Sequence, residues 1–141
     1  MVDFEIGIDG GGTSTVAVVA RPGSGVIGRG SAGPSALGQG IEAAWAQIRA
    51  AIESAFFSAN IAAPQMAQCA LAAGLSGVNH TPWRDTFIKQ NVGLARLKVE
   101  TDAFIALLGA HDGKPGVMVA AGTGAVGEAW SASGARVEAS G

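Results

Sequence analysis

The stretch Glu5–Thr15, EIGIDGGGTST, restricts this chain more than any other. The residues DFEIGIDG predict a short buried strand that ends at Asp9. The strand delivers one carboxylate straight into Gly10, Gly11 and Gly12, and then into the hydroxyls of Thr13, Ser14 and Thr15. Packing alone asks for no such order. Glycines let main-chain N–H groups point inward and let a bulky anion come close to the backbone. A carboxylate repels phosphate, but it can hold a hydrated Mg²⁺ that bridges to phosphate oxygens. The stretch therefore suits a nucleotide phosphate clamp at the carboxyl end of a strand. Asp-Gly is also a common tight hairpin turn. A hairpin needs neither three glycines nor two threonines, so the clamp is preferred.

The rest of the chain alternates strands and helices. TVAVVARPG and GVIGRGSAGPS predict two more strands, close enough to form an antiparallel meander with the first. Ile41, Trp45, Ile48, Ile52, Ala55 and Phe56 recur at helical spacing, with Glu42, Arg49 and Glu53 on the other side. CALAAGLSG predicts a buried strand, and Thr81-Pro82 a helix N-cap and first position, for a helix running to about Asn91. ARLKVETD predicts a strand ending at Asp102, and AFIALLGAH an apolar helix stopped by DGKPG. VMVAAGTGAVGEAW reads as strand, glycine turn, strand, with GARVEASG as a third. The pattern is α/β with a mixed sheet. A domain boundary is expected in the turn-rich HDGKPG, giving domains 1–113 and 114–141, the second opening with a β-meander.

Three further loops are candidate sites. In AAGTGAVG, Thr123 stands between Gly122 and Gly124 after an apolar strand; a phosphate-contacting hairpin and a plain hairpin both remain open. The same residues match Gly-x-Gly-x-x-Gly, but that fingerprint needs a helix opening within the glycines, and EAWSASGARVE has no helical period. Asp102, between strand and helix, is either an N-cap or a carboxylate that takes a proton from an attacking hydroxyl. The loop with Ser76 and Gly77 either lines the same cleft or simply joins strand to helix. His80 and His111 have no partner at metal-ligand spacing and are expected at the surface or at caps. Trp45 is expected in the core.

Composition removes other classes. Charged residues make up 14% of the chain and the net charge is −2, which gives no electrostatic case for nucleic acid or an acidic membrane. Cys69 is the only cysteine, so neither an intrachain disulfide nor a multi-cysteine metal site can form. No signal peptide or membrane-spanning run is visible, and a cytoplasmic location is expected.

IGIDGGGTST, LAAGLSG, TDAFIALLGAH and GVMVAAGTGAVG together resemble the amino-sugar kinases of the BadF/BadG/BcrA/BcrD ATPase family, in the actin-like ATPase superfamily. The resemblance runs from about Phe4 to Gly127. It implies an RNase H-like domain with a five-stranded sheet, three strands antiparallel and two parallel. It implies ATP and Mg²⁺ as cofactors, Asp9 on the metal, and Gly10, Gly11, Gly12 and Thr13 as the first phosphate loop. Gly122, Thr123 and Gly124 become the second phosphate loop. Asp102 becomes the general base for a sugar 6-hydroxyl, in one cleft with both loops, and Ser76 and Gly77 join it on the sugar. Ala36 stands where family members often carry a sugar-contacting Asn, and Ala125 where the second loop usually ends in Ser. The implied function is phosphorylation of glucosamine or N-acetylglucosamine, with this chain as the N-terminal half, expected to be inactive by itself. The uncovered apolar strands after Lys114 need a partner surface, so a homodimer is expected. The alternatives are an ATPase that activates a partner enzyme and a non-catalytic sugar sensor. The first uses cysteine-bound iron–sulfur clusters, and the second a DNA-binding segment ahead of the phosphate loop.

Overall fold

The computed structural model describes residues 1–91, 93–121 and 125–140. Contacts divide the chain into two units, Met1–Thr101 and Asp102–Gly141. The first holds β1 (Phe4–Gly10), β2 (Thr15–Arg21), β3 (Gly25–Ala32), α1 (Ile41–Ser58), β4 (Cys69–Leu75), α2 (Thr81–Lys89) and β5 (Arg96–Thr101). Its sheet has the order β3-β2-β1-β4-β5. β1 pairs antiparallel with β2 and parallel with β4, and β4 pairs parallel with β5. This is the expected mixed sheet, three strands antiparallel and then two parallel.

The two faces of β1 follow from its period of two. Phe4, Ile6, Ile8 and Gly10 are buried, while Glu5, Gly7 and Asp9 are exposed. α1 covers the buried face with Ala44, Trp45, Ile48, Ala51, Ile52, Ala55 and Phe56, close to the set predicted from spacing. Gly28 and Gly30 of β3 explain how near the helix comes: a Cβ at either would run into the α1 main chain around Ala51 and Ala55. The indole of Trp45 stacks on Phe87 of α2 at 4.2 Å and donates to the Phe87 carbonyl at 3.1 Å, so a buried polar group is satisfied.

Three boundaries differ from expectation. The N-cap of α2 is His80, not Thr81, because the His80 carbonyl accepts the first helical bonds, from Trp83 and Arg84. Pro82 then sits at the second helical position, where its missing N–H still has no intrahelical partner to lose. The helix stops at Lys89, short of Asn91. β5 ends at Thr101, and Asp102 opens the next helix.

The second unit holds α3 (Asp102–Ala110) and the antiparallel strands β6 (Gly116–Ala121), β7 (Ala125–Trp130) and β8 (Arg136–Ser140). α3 buries Phe104 and Leu107. Phe104 meets Trp130 edge to face at 5.9 Å, and the Arg136 guanidinium lies 3.5 Å from the Phe104 ring centre. Arg136 also bonds the buried Glu128 at 3.3 Å, while the second Glu128 oxygen has no partner among the described residues. Among the described residues, no helix is long and apolar enough to cross a membrane.

Candidate functional site

Because β1, β4 and β5 run parallel, their carboxyl ends lie together within the first unit. The register places Asp9 beside Gly74 and Gly74 beside Glu100. Asp9 is exposed at this end. The loop it feeds, residues 10–14, is tied to two neighbouring loops by a closed triangle of main-chain bonds. Ser76 donates to the Gly10 carbonyl at 3.0 Å, and Leu37 donates to the Ser76 carbonyl at 2.9 Å. Ser35 and Ala36 both donate to the Gly11 carbonyl, at 3.0 and 3.1 Å. The Gln39 amide adds a side-chain bond to the Gly12 carbonyl at 3.2 Å.

These bonds leave the donors of the loop unequal. The Gly11 N–H is used inside the loop, bonding the Ser14 carbonyl at 3.0 Å. No hydrogen bond among the described residues takes up the N–H of Gly12, Thr13 or Ser14, and all three residues are exposed. Three consecutive amides are thus left as donors that an anion could use. A Cβ at Gly11 would meet nothing within 4 Å, so there is open space beside it.

Gly10 serves a different purpose. It is buried, and a Cβ there would collide with the Ser35 hydroxyl and come within 2.7 Å of Leu75. Its smallness makes room for Ser35, which is 1% exposed. The Ser35 hydroxyl bonds the Thr15 hydroxyl at 2.7 Å, and Thr15 reaches the Gly33 carbonyl at 2.6 Å. Gly33 in turn donates to Gln47 of α1 at 2.7 Å. Sequence reading missed Ser35 and Gln39. The only signal was the turn-forming run GPSALGQG after a strand.

Ser76 and Gly77 belong to the triangle and its edge. Gly77 has φ +92°, a conformation natural to glycine. A Cβ there would press on Leu37 and Trp83, each 3.3 Å away. Trp83, though 39% exposed, also covers Gly38 and packs against the His80 ring at 4.1 Å. In the second unit, the Asp102 Oδ1 accepts the Ala103 N–H at 2.9 Å, and the residue is exposed. That is a local helix-start contact on one oxygen only. Gly122, Thr123 and Gly124 lie outside the described residues. The segment that follows them is strand β7, so the helix required by a dinucleotide fingerprint is absent there. Cys69 is buried on β4, and desolvation, with the Asp3 charge second, pushes its thiol pKa up.

A family model described as the BadF/BadG/BcrA/BcrD ATPase family matches residues 6–141. Glucosamine kinase GspK of Vibrio cholerae is 29% identical over 126 residues, covering 89% of this chain and 43% of that protein. A solved structure of a candidate N-acetylglucosamine kinase from Chromobacterium violaceum superposes with a TM-score of 0.93 at 40% identity, covering 98% of this chain and 48% of that one. A ROK family glucokinase from Streptomyces griseus, solved with glucose and AMPPNP, gives a TM-score of 0.54 at 24% identity, over 89% of this chain and 44% of that one. At that identity the last match concerns the fold alone. The chain thus spans a little under half the length of the relatives it matches.

Proposed function

The chain belongs to the BadF/BadG/BcrA/BcrD ATPase family, and on that premise we propose that it is the N-terminal half of an ATP-dependent amino-sugar kinase acting at the 6-hydroxyl of glucosamine or N-acetylglucosamine. Residues 1–113 are then the first ATPase domain, and 114–141 the opening meander of the second. The observation that carries the reading is the row of free amides at Gly12, Thr13 and Ser14 beside the exposed Asp9. A phosphate group fits the amides by charge and by hydrogen bonding. The donor set around Asp9 fits Mg²⁺, which is commonly held by one or two carboxylates plus substrate phosphates. Among the described residues no cluster of three or more His, Cys, Asp or Glu forms a cage of its own. When bound, the metal would neutralise charge on the phosphate oxygens.

The chain's own residues supply position. Gly12, Thr13 and Ser14 orient the phosphates, and Ser76 and Gly77 border the sugar. Asp102, whose second carboxylate oxygen has no bond among the described residues, takes the proton from the attacking hydroxyl. Gly122, Thr123 and Gly124 form the second phosphate loop. The protein is cytoplasmic in this reading and assembles as a homodimer through the meander strands.

The experiment is a pair of assays on the 141-residue chain. Calorimetric titration with Mg·ATP is expected to show weak binding, and a coupled assay with glucosamine is expected to show no phosphate transfer. Transfer at the roughly 1–100 s⁻¹ usual for kinases would contradict the half-enzyme reading. In an enzyme assembled from this chain and the complementary half of a relative, Asp102→Asn should lower kcat by about 100-fold or more. An unchanged kcat would remove Asp102 from the chemistry.

A further inference from the structure

We infer that Ser35 is a positioning residue for the anion loop: its buried hydroxyl, acting with Thr15, holds residues 10–12 in the arrangement that leaves three neighbouring amides free. This rests on the phosphate reading of that loop. Ser35 and Thr15 are 1% and 0% exposed, so neither hydroxyl has water to turn to. Their oxygens lie 2.7 Å apart, and Thr15 lies 2.6 Å from the Gly33 carbonyl. A carbonyl only accepts, so the single Thr15 proton goes to Gly33, and Ser35 donates to Thr15. Ser35 also fills the volume that a side chain at Gly10 would need. Its main-chain N–H, with that of Ala36, grips the Gly11 carbonyl. One residue thus braces the loop by side chain and by main chain, on adjacent residues.

The brace has a fixed anchor. Gly33, which accepts from Thr15, donates to Gln47 on α1 at 2.7 Å. The path runs from the most deeply packed helix through Gly33, Thr15 and Ser35 to Gly10 and Gly11. Without the hydroxyl, the Gly10–Gly11 peptide loses its wedge, and the loop that carries the free amides is no longer held in place. A residue that only filled core space would change stability without changing affinity.

The test uses the 141-residue chain, magnesium pyrophosphate as the probe, and amide NMR shifts at Gly12, Thr13 and Ser14 as the readout. Melting temperature is followed in parallel. Ser35→Ala is expected to weaken binding about fivefold to tenfold, as the loss of one buried hydrogen bond implies. Ile48→Val, a core change on α1, is expected to lower the melting temperature and keep wild-type affinity. Thr15→Val removes the same strut at constant volume and should match Ser35→Ala; it decides the matter if Ser35→Ala does not fold. Wild-type affinity in a folded Ser35→Ala or Thr15→Val variant overturns the inference and leaves the anion site standing. An absence of shifts in the wild-type protein overturns the phosphate reading itself, and the inference with it.

Discussion

At Gly10 the structure separates two reasons for a glycine that look identical in the sequence. Gly11 borders open space and Gly12 leaves room up to the Gln39 amide at 3.7 Å, whereas Gly10 is small because Ser35 occupies the place of its side chain. Gly10→Ala should therefore cost about 1–3 kcal/mol through overpacking. Ser35→Ala should recover part of that loss, because the colliding hydroxyl is gone and Leu75 can give way at its tip. A double-mutant cycle by urea denaturation measures the coupling; strictly additive costs would contradict the contact. Cys69 makes a second prediction. Burial raises its folded pKa above the ordinary thiol value of about 8.5. The native state then keeps its proton where the unfolded chain has lost it. Stability should be level below that value and fall as pH rises through the interval up to the folded pKa. Cys69→Ala should flatten this limb of the stability curve, and an unchanged slope would show that the thiol is not its source. Asp9 could be read from the sequence, as a lone acid between a strand and three glycines. Ser35 could not, because its partners Thr15 and Gly10 lie 20 and 25 residues away, and local patterns carry no such pairing.

Elements were more legible than contacts. Strand periods of two and the helix spacing from Ile41 to Phe56 fixed the order of strands and helices, since each pattern sorts residues onto one buried face. The start of α2 was less clear, because proline is tolerated throughout the first helical turn and Thr81 and His80 both fit before it. Packing between elements was not legible at all. Gly28 and Gly30 carry no side chain to pattern, yet they are where β3 meets the α1 backbone. Gly30→Ala should thus destabilise by roughly 1–3 kcal/mol, since main chain cannot step aside as a side-chain tip can. Gly7→Ala, on the exposed face with nothing within 4 Å, should stay within about 0.5 kcal/mol of wild type. Denaturation midpoints of the two variants give the comparison. Equal losses would mean that α1 does not press on β3 as described.

For the whole molecule, each unit presents an apolar sheet face. Gly7, Val18, Ala20, Ala70 and Ala72 form an apolar patch on the face of the first sheet that α1 leaves open, rimmed by Glu5, Arg96 and Lys98. Val117, Val119 and Val137, at 66%, 73% and 64% exposure, lie on the side of the second sheet away from α3. Such surfaces favour edge or face association. The chain should dimerise at high concentration, and Val119→Lys should return it to a monomer in light scattering; an already monomeric wild type would contradict the proposed assembly. The second phosphate loop was visible in the sequence only as glycines around Thr123, and those residues lie outside the described ones. The account therefore turns on the first loop. The most direct measurement is a titration of the isotopically labelled chain with magnesium pyrophosphate, followed by amide NMR and repeated with Asp9→Asn. The prediction is a set of saturable shifts centred on Gly12, Thr13 and Ser14, with affinity at least about tenfold weaker in the variant and no change in its melting temperature. Shifts scattered over the surface, or shifts equally strong without the Asp9 carboxylate, would contradict a metal-assisted phosphate site at this strand end.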